Sequence, residues 1–332
     1  MTLKNEILII FANKFYCMRK ELIIIALGGN ALIKSGQKGT IEEQNLNVRE
    51  TLKAIFPFIE EGHHLIITHG NGPQVGFLLL KNDAGEQLYD VSQVPLDVAV
   101  ASSQGEIGYL IQSELFSLLR QNNISREVVS INTMVRISPT DSAFKNPTKR
   151  IGKTYYDKKE VEKLEKEKKW IFKKETKNAK TGWRRVVPSP QPLDIIGKNN
   201  IRTLVKNDSI VIAVGGGGIP VSIQGDTMYG QEAVIDKDLA SALLAQQIKA
   251  DKFIILTDVP YVYSNYGTTQ QKALKVINYK NAERLLEEGI FGEGNMAPKI
   301  KAAINFVKSG GKEVIITNLE GIKYNKGTKI TL

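Results

Sequence analysis

Short apolar runs alternate along the chain with longer stretches in which apolar residues recur every three or four positions. The first kind of segment predicts buried strands and the second predicts amphipathic helices. Residues 21–27, 64–68, 127–131, 209–214, 252–257 and 313–317 read as strands, and residues 45–61, 73–81, 96–122, 234–248 and 298–309 as helices. Regular strand–helix alternation predicts a mainly parallel sheet covered on both faces. Two stretches break the pattern. Residues 136–192, rich in Lys, Pro and Gly, predict an inserted subdomain or lid, with a helix within residues 157–180. Residues 261–272 predict a surface loop or hairpin, and no repeat of fixed period is evident.

Three of the predicted strands run into glycine: Gly28-Gly29-Asn30 after the first, Gly70-Asn71-Gly72 after the second, and Gly215, Gly216, Gly217 and Gly218 after residues 209–214. In an open α/β sheet the ligand sits beyond the carboxyl ends of the strands. Glycine there lets the backbone approach a ligand, and a helix start behind the loop offers free N–H groups and partial positive charge. Three such loops at one sheet edge suit a phosphate-bearing ligand. They match neither common phosphate motif. Gly152-Lys153-Thr154 has the tail of a P-loop, but Pro147 stands where its first glycine belongs. Gly70-Asn71-Gly72 reaches Gly76 with one residue too many for a dinucleotide fingerprint.

Composition narrows the partners. The 332 residues, 42% hydrophobic and 24% charged, are ordinary for a soluble globular chain. Cys17 is the only cysteine, so no internal disulfide is possible and a reducing, cytoplasmic setting is expected. The net charge of +10 is compatible with anionic partners. Part of it is local, since residues 157–180 hold ten Lys against six Asp or Glu in a sign-alternating stretch that reads as a solvated face. No nucleic-acid motif is present, and the longest apolar runs fall far short of the roughly 18 residues a membrane helix needs. The first 17 residues read as an appendage, with either Met1 or Met18 as the start. His63, His64 and His69, the three histidines, lack the spacing of a metal site.

Gly28-Gly29-Asn30-Ala31, Thr68-His69-Gly70-Asn71-Gly72-Pro73-Gln74-Val75-Gly76, Gly215 to Pro220, and Ala233-Val234-Ile235-Asp236-Lys237-Asp238 resemble the amino acid kinase superfamily. Phe144-Lys145-Asn146-Pro147-Thr148-Lys149 and Gly182-Trp183-Arg184-Arg185-Val186-Val187-Pro188-Ser189-Pro190 resemble carbamate kinases within it. The resemblance runs from about residue 21 to the end. It implies a three-layer αβα sandwich and a homodimer. It further implies an N-terminal lobe (18–208) for the carbamate or carbamoyl phosphate, carrying the lid, and a C-terminal lobe (209–332) for ATP or ADP with Mg²⁺.

The resemblance also assigns roles. Lys149 would reach the transferring phosphoryl group, Lys237 and Lys299 would meet the nucleotide phosphates, and Asp236 would orient the lysines. Phosphoryl transfer asks mainly for positioning and charge neutralisation, which lysines and backbone N–H groups supply. Gly28, Gly29, Asn30, Gly70, Asn71 and Gly72 would cradle the carbamoyl phosphate, with Gly215, Gly216 and Gly217 under the phosphate path. Thr257, Asp258, Val259, Tyr263, Tyr266 and Met296 would form the base and ribose pocket. No carboxylate cage for the metal is assigned. The implied reaction is reversible transfer between carbamoyl phosphate and ADP, running toward ATP in arginine-type catabolism. An acetylglutamate kinase-like enzyme and a non-catalytic basic protein that holds nucleic acid are the competing readings. The chain departs from the family pattern at Asn295, where Ser is common, at Arg150, where Pro follows the lid lysine, and at residues 176–183, changes that bear on lid closure.

Overall fold

The computed structural model describes residues 20–34, 36–177, 180–291 and 296–332. The expectations for residues 1–17, for the start at Met18 and for Asn295 lie outside these. An eight-stranded sheet forms the centre. Its strands, numbered in chain order, are β1 (Leu22–Leu27), β2 (His64–His69), β3 (Val128–Ser130), β4 (Ile210–Ile212), β5 (Lys252–Leu256), β6 (Val276–Asn278), β7 (Glu313–Thr317) and β8 (Thr328–Thr331). They lie in the order β6-β8-β7-β5-β1-β2-β4-β3. From β7 to β3 every pairing is parallel, while β8 runs antiparallel to β7 and carries β6 beside it. Residues Ile23 to Leu27 of β1 have no exposed surface, as an unbroken apolar run in a sheet covered on both faces should.

Alternation within the strands sends side chains to two separate cores. Ile24, Ile66, Phe253 and Ile255 pack with Leu244, Ile300 and Phe306 of helices Lys237–Ile248 and Met296–Lys308. Ile23, Ile25, Leu65 and Ile67 pack on the opposite face with Leu52, Ile55, Ile107 and Ile111 of helices Ile41–Glu60 and Leu96–Gln121. The architecture is therefore a three-layer αβα sandwich with a mainly parallel sheet, as expected.

Helix ends differ instructively from the sequence expectation. The first helix begins at Ile41 because Thr40 and Glu43 form a reciprocal capping box, a Thr-x-x-Glu signal that apolar spacing alone overlooks. Helix Lys237–Ile248 begins three residues later than predicted, because the Asp236 side chain accepts the N–H groups of Asp238 and Leu239 and ends the preceding extended segment. Helix Gly72–Tyr89 outlasts its prediction by two turns, and its added half carries Asp83 and Glu86 to the inserted segment.

That segment is a three-stranded antiparallel sheet in which Lys180–Val187 lies between Lys149–Tyr155 and Ile171–Lys177, joined by helix Lys158–Lys168. It docks on helix Gly72–Tyr89. Lys168 Nζ donates to Asp83 at 3.1 Å and to Glu86 at 2.9 Å, and Gln93 donates to both carboxylates. The Arg185 guanidinium lies 4.1 Å from the Trp170 ring centroid. Residues 261–272 contain the outer strand of a hairpin, Val262–Ser264 paired with Lys272–Leu274.

Candidate active site

Because the strands from β7 to β3 are parallel, the ends of β1, β2, β4 and β5 open on one edge of the sheet. A cavity of about 330 Å³ lies there. Its wall includes Gly28, Gly29, Gly70, Asn71, Gly72 and Gly216 from the glycine loops, Lys149 and Arg150 from the insert, and Asp236, Lys237 and Asp238 from a helix start. Thr257 and Asp258 follow β5, and Lys299 enters from the first turn of helix Met296–Lys308. Residues separated by up to 271 positions, from Gly28 to Lys299, thus share one wall.

Six of the predicted residues fall elsewhere. Gly215, Gly217, Val259, Tyr263, Tyr266 and Met296 do not line this cavity. Tyr263 and Tyr266 contact each other on the hairpin, with ring centroids 5.9 Å apart, and Tyr266 is largely exposed. Asn30 sits in the short turn Gly29–Ala31 behind β1.

The glycines serve more than one purpose. At Gly216, φ is +64° and a Cβ would stand 2.2 Å from the Asn71 amide nitrogen, so a side chain is excluded both by conformation and by its neighbour. At Gly29 and Gly72 a Cβ would meet nothing within 4 Å, so these loops present bare backbone to open space. Asn71 is buried, and its amide nitrogen donates to Ser103 Oγ at 2.8 Å. That bond commits one amide hydrogen to Ser103, while Asn71 remains part of the cavity wall.

The lysines are held by aspartates in two units. Lys149 Nζ lies 3.0 Å from Asp236 Oδ2, while Asp236 Oδ1 caps the helix. One carboxylate thus ties the insert to the helix start. Asp238 takes Lys237 Nζ on one oxygen at 2.6 Å and Lys299 Nζ on the other at 2.8 Å. It is 2% exposed, so a carboxylate with both oxygens occupied sits between two ammonium groups under the cavity floor. Burial opposes its charge, but Lys237 and Lys299 outweigh burial and hold its pKa far below the usual carboxylate range. Burial also disfavours charge on Lys299, yet Asp238 prevails and its pKa lies above the ordinary lysine value. For Lys237 burial wins and, with the Lys299 charge adding to it, sets the pKa below that value. Asp238 was missed as a site residue by sequence reasoning. Its signal was present in Asp236-Lys237-Asp238, where a helix start with two alternating carboxylates offers one to the cap and one to the lysines.

His69, at the end of β2, is 1% exposed and has its Nδ1 3.0 Å from the Gly70 carbonyl oxygen. Burial, with Lys237 nearby, lowers its pKa to about 4, so the ring is neutral near pH 7. The site thus offers fixed cations and bare backbone, the equipment for binding and neutralising phosphoryl oxygens.

Comparison with known proteins bears directly on this arrangement. A profile of the Amino acid kinase family matches residues 21–318. A carbamate kinase of Pyrococcus horikoshii is 48% identical over 94% of this chain and 99% of its own length. Its counterpart from Pyrococcus furiosus is 47% identical over 90% of this chain and 94% of its own. Among solved structures, carbamate kinase from Giardia lamblia bound to AMP-PNP superposes with a TM-score of 0.86, at 36% identity over 94% of this chain and 98% of that one.

Proposed function

The chain belongs to the carbamate kinases within the amino acid kinase family and is a kinase, and from that premise we propose that it moves a phosphoryl group reversibly between carbamoyl phosphate and ADP, giving ATP and carbamate. The observation that carries the reading is the convergence of Lys149, Lys237 and Lys299 on one cavity with bare glycine backbone opposite. The AMP-PNP held by the Giardia relative supports a nucleotide as one substrate.

In the direction of ATP formation, an oxygen of the ADP β-phosphate attacks phosphorus while the bond to the carbamoyl oxygen breaks, and that oxygen leaves with its electron pair as carbamate. No proton need move, because nucleophile and leaving group are both anions. Asp236 therefore serves as a positioner, holding Lys149 and capping the helix. Charge spreads over the three oxygens of the transferring group, and the Lys149 ammonium, 36% exposed at its side chain, is placed to follow them from the insert. Lys237 and Lys299, fixed by Asp238, neutralise the phosphates from below at little cost in reorganisation. Gly28, Gly29, Gly70 and Gly72 offer backbone N–H groups to the carbamoyl phosphate end. Thr257 and Asp258 border the nucleotide side. In this division residues 18–208 hold the carbamoyl group and residues 209–332 the nucleotide.

Among the described residues no group of three or more His, Cys, Asp or Glu side chains gathers to hold a metal. Asp236 and Asp238 are engaged with lysines. These residues fit a Mg²⁺ that arrives on the nucleotide and is held by phosphate oxygens and water. When bound it would supply further charge neutralisation on those oxygens.

Among the described residues no helix is long and apolar enough to cross a membrane. Independently of that, we propose a cytoplasmic setting, where carbamoyl phosphate would be consumed at the end of arginine-type catabolism. We further propose a homodimer, supported by the exposed Val98, Tyr109 and Phe116 along helix Leu96–Gln121. The decisive experiment incubates the protein with ADP, Mg²⁺ and carbamoyl phosphate and reads ATP through a hexokinase-coupled assay. ATP formation is expected. No ATP, together with phosphorylation of an amino-acid carboxylate such as acetylglutamate, would overturn the proposal.

A further inference from the structure

Among the described residues four cations line the cavity: Lys149, Arg150, Lys237 and Lys299. Three of them are committed to an aspartate at 3.0 Å or less. Arg150 differs. Its ion pair joins Nε to Glu175 Oε2 at 3.7 Å, beyond hydrogen-bond length, and its side chain is 47% exposed. Glu175 is itself engaged elsewhere, accepting from Thr154 Oγ1 at 2.5 Å and lying 3.8 Å from Arg184. The strand that carries Arg150 is irregular at this point. Its register against Lys180–Val187 breaks between Arg150 and Thr154, around Gly152 at φ +69°. The break begins just after Arg150, and Lys149, Arg150 and Ile151 all contribute to the wall.

A guanidinium presents five N–H donors in a flat fork that matches two phosphate oxygens at once. An ammonium, by contrast, acts as a compact point charge. We propose that Arg150 is a further substrate-binding residue, a bidentate clamp on phosphoryl oxygens that works beside Lys149. Glu175 tethers it loosely on the Nε side and leaves the two terminal nitrogens for the ligand. The proposal rests on the phosphotransferase reading of this cavity and adds to it a cation whose donors are unspent before the substrate arrives.

The test uses the full chain and the variants Arg150→Gln and Arg150→Lys. ADP affinity is measured by calorimetry with Mg²⁺, and KM and kcat for carbamoyl phosphate by ATP formation. Arg150→Gln is expected to weaken ADP binding, or to raise KM for carbamoyl phosphate, by about tenfold or more, as loss of a charge-assisted bidentate contact requires. The affected substrate identifies whose phosphate is clamped. Arg150→Lys should recover only part of the loss, because it restores charge without the fork. Thermal melting should be unchanged in both, since the side chain is half exposed. ADP affinity and carbamoyl phosphate KM both within about twofold of the parent in Arg150→Gln would overturn the proposal. Full recovery in Arg150→Lys would overturn the bidentate clamp. Should the parent chain make no ATP, the proposed reaction fails, and calorimetric titrations with ADP and with carbamoyl phosphate still decide the role of Arg150.

Discussion

Asp238→Asn is the most informative single change in this site. The substitution keeps the shape of the side chain and removes its charge. In the parent chain the two carboxylate oxygens hold Lys237 and Lys299 at 2.6 and 2.8 Å, and the residue is 2% exposed. At an effective dielectric of about 20, each contact carries a Coulombic attraction of roughly 6 kcal/mol, offset by the cost of burying the charges. The variant leaves two ammonium groups facing a neutral amide that can accept from only one of them. Removing one partner of a buried ionic group costs about 3–5 kcal/mol, because the remaining charge stays buried without compensation. The Lys237 pKa is already lowered by burial, so it is the ammonium expected to give up its proton. The site then loses one cation and the fixed position of both. Chemical denaturation should show a stability loss within that range. ATP formation should fall by about 10²–10³ in kcat, the scale of losing one pre-set electrostatic contact. A change confined to KM would mean that the lysines bind ground state and transition state alike. Near-parental stability together with near-parental kcat would refute the argument that Asp238 organises the two lysines.

Four further outcomes follow from the same geometry. Lys149→Met should lower kcat by about a hundredfold with little change in melting, since this lysine is partly exposed and reaches the site from the insert; a large melting shift would instead mark it as structural. Gly216→Ala should destabilise by more than about 1 kcal/mol, given its positive φ and the clash with Asn71. Gly72→Ala, whose Cβ meets nothing, should fold normally and raise KM, so equal behaviour of the two would contradict the division of labour among the glycines. His69 predicts a pH response. Its pKa of about 4 in the folded chain lies below the ordinary 6.5, so the unfolded chain binds the extra proton. The stability it contributes is complete above pH 6.5 and declines as pH falls toward 4. Its size is about 3 kcal/mol, and His69→Gln should flatten that part of the denaturation profile.

Much of the fold was legible because its signals are local. Ile23 to Leu27 and Phe253 to Leu256 are runs that only a doubly covered strand accommodates. The ends of helices were harder to read where side-chain caps decided them, as at Thr40 and Asp236. Strands β6 and β8 escaped detection. Each is three or four residues long, and its register depends on neighbours far along the chain, Val276 beside Lys329 and Ile330 beside Val314. In the site, motifs marked Lys149, Lys237 and Lys299 as candidates, whereas the part played by Asp238 depended on which atoms its two oxygens reach.

By itself the sequence determined which chemistry could be assembled: three strand ends that need glycine, lysines in recognisable segments, and an insertion between two halves of an α/β pattern. These are properties of short segments, set by backbone conformation, periodicity and residue type. Tertiary structure decided which carboxylate pairs with which lysine, that Asn71 turns an amide hydrogen toward Ser103, and that Arg150 reaches the cavity with its donors unspent. Those outcomes hinge on distances of a few ångströms between residues up to 87 positions apart, as between Lys149 and Asp236. Hydrogen bonds and ion pairs weaken or vanish over such distances, and only the packed sheet and its docked insert set them.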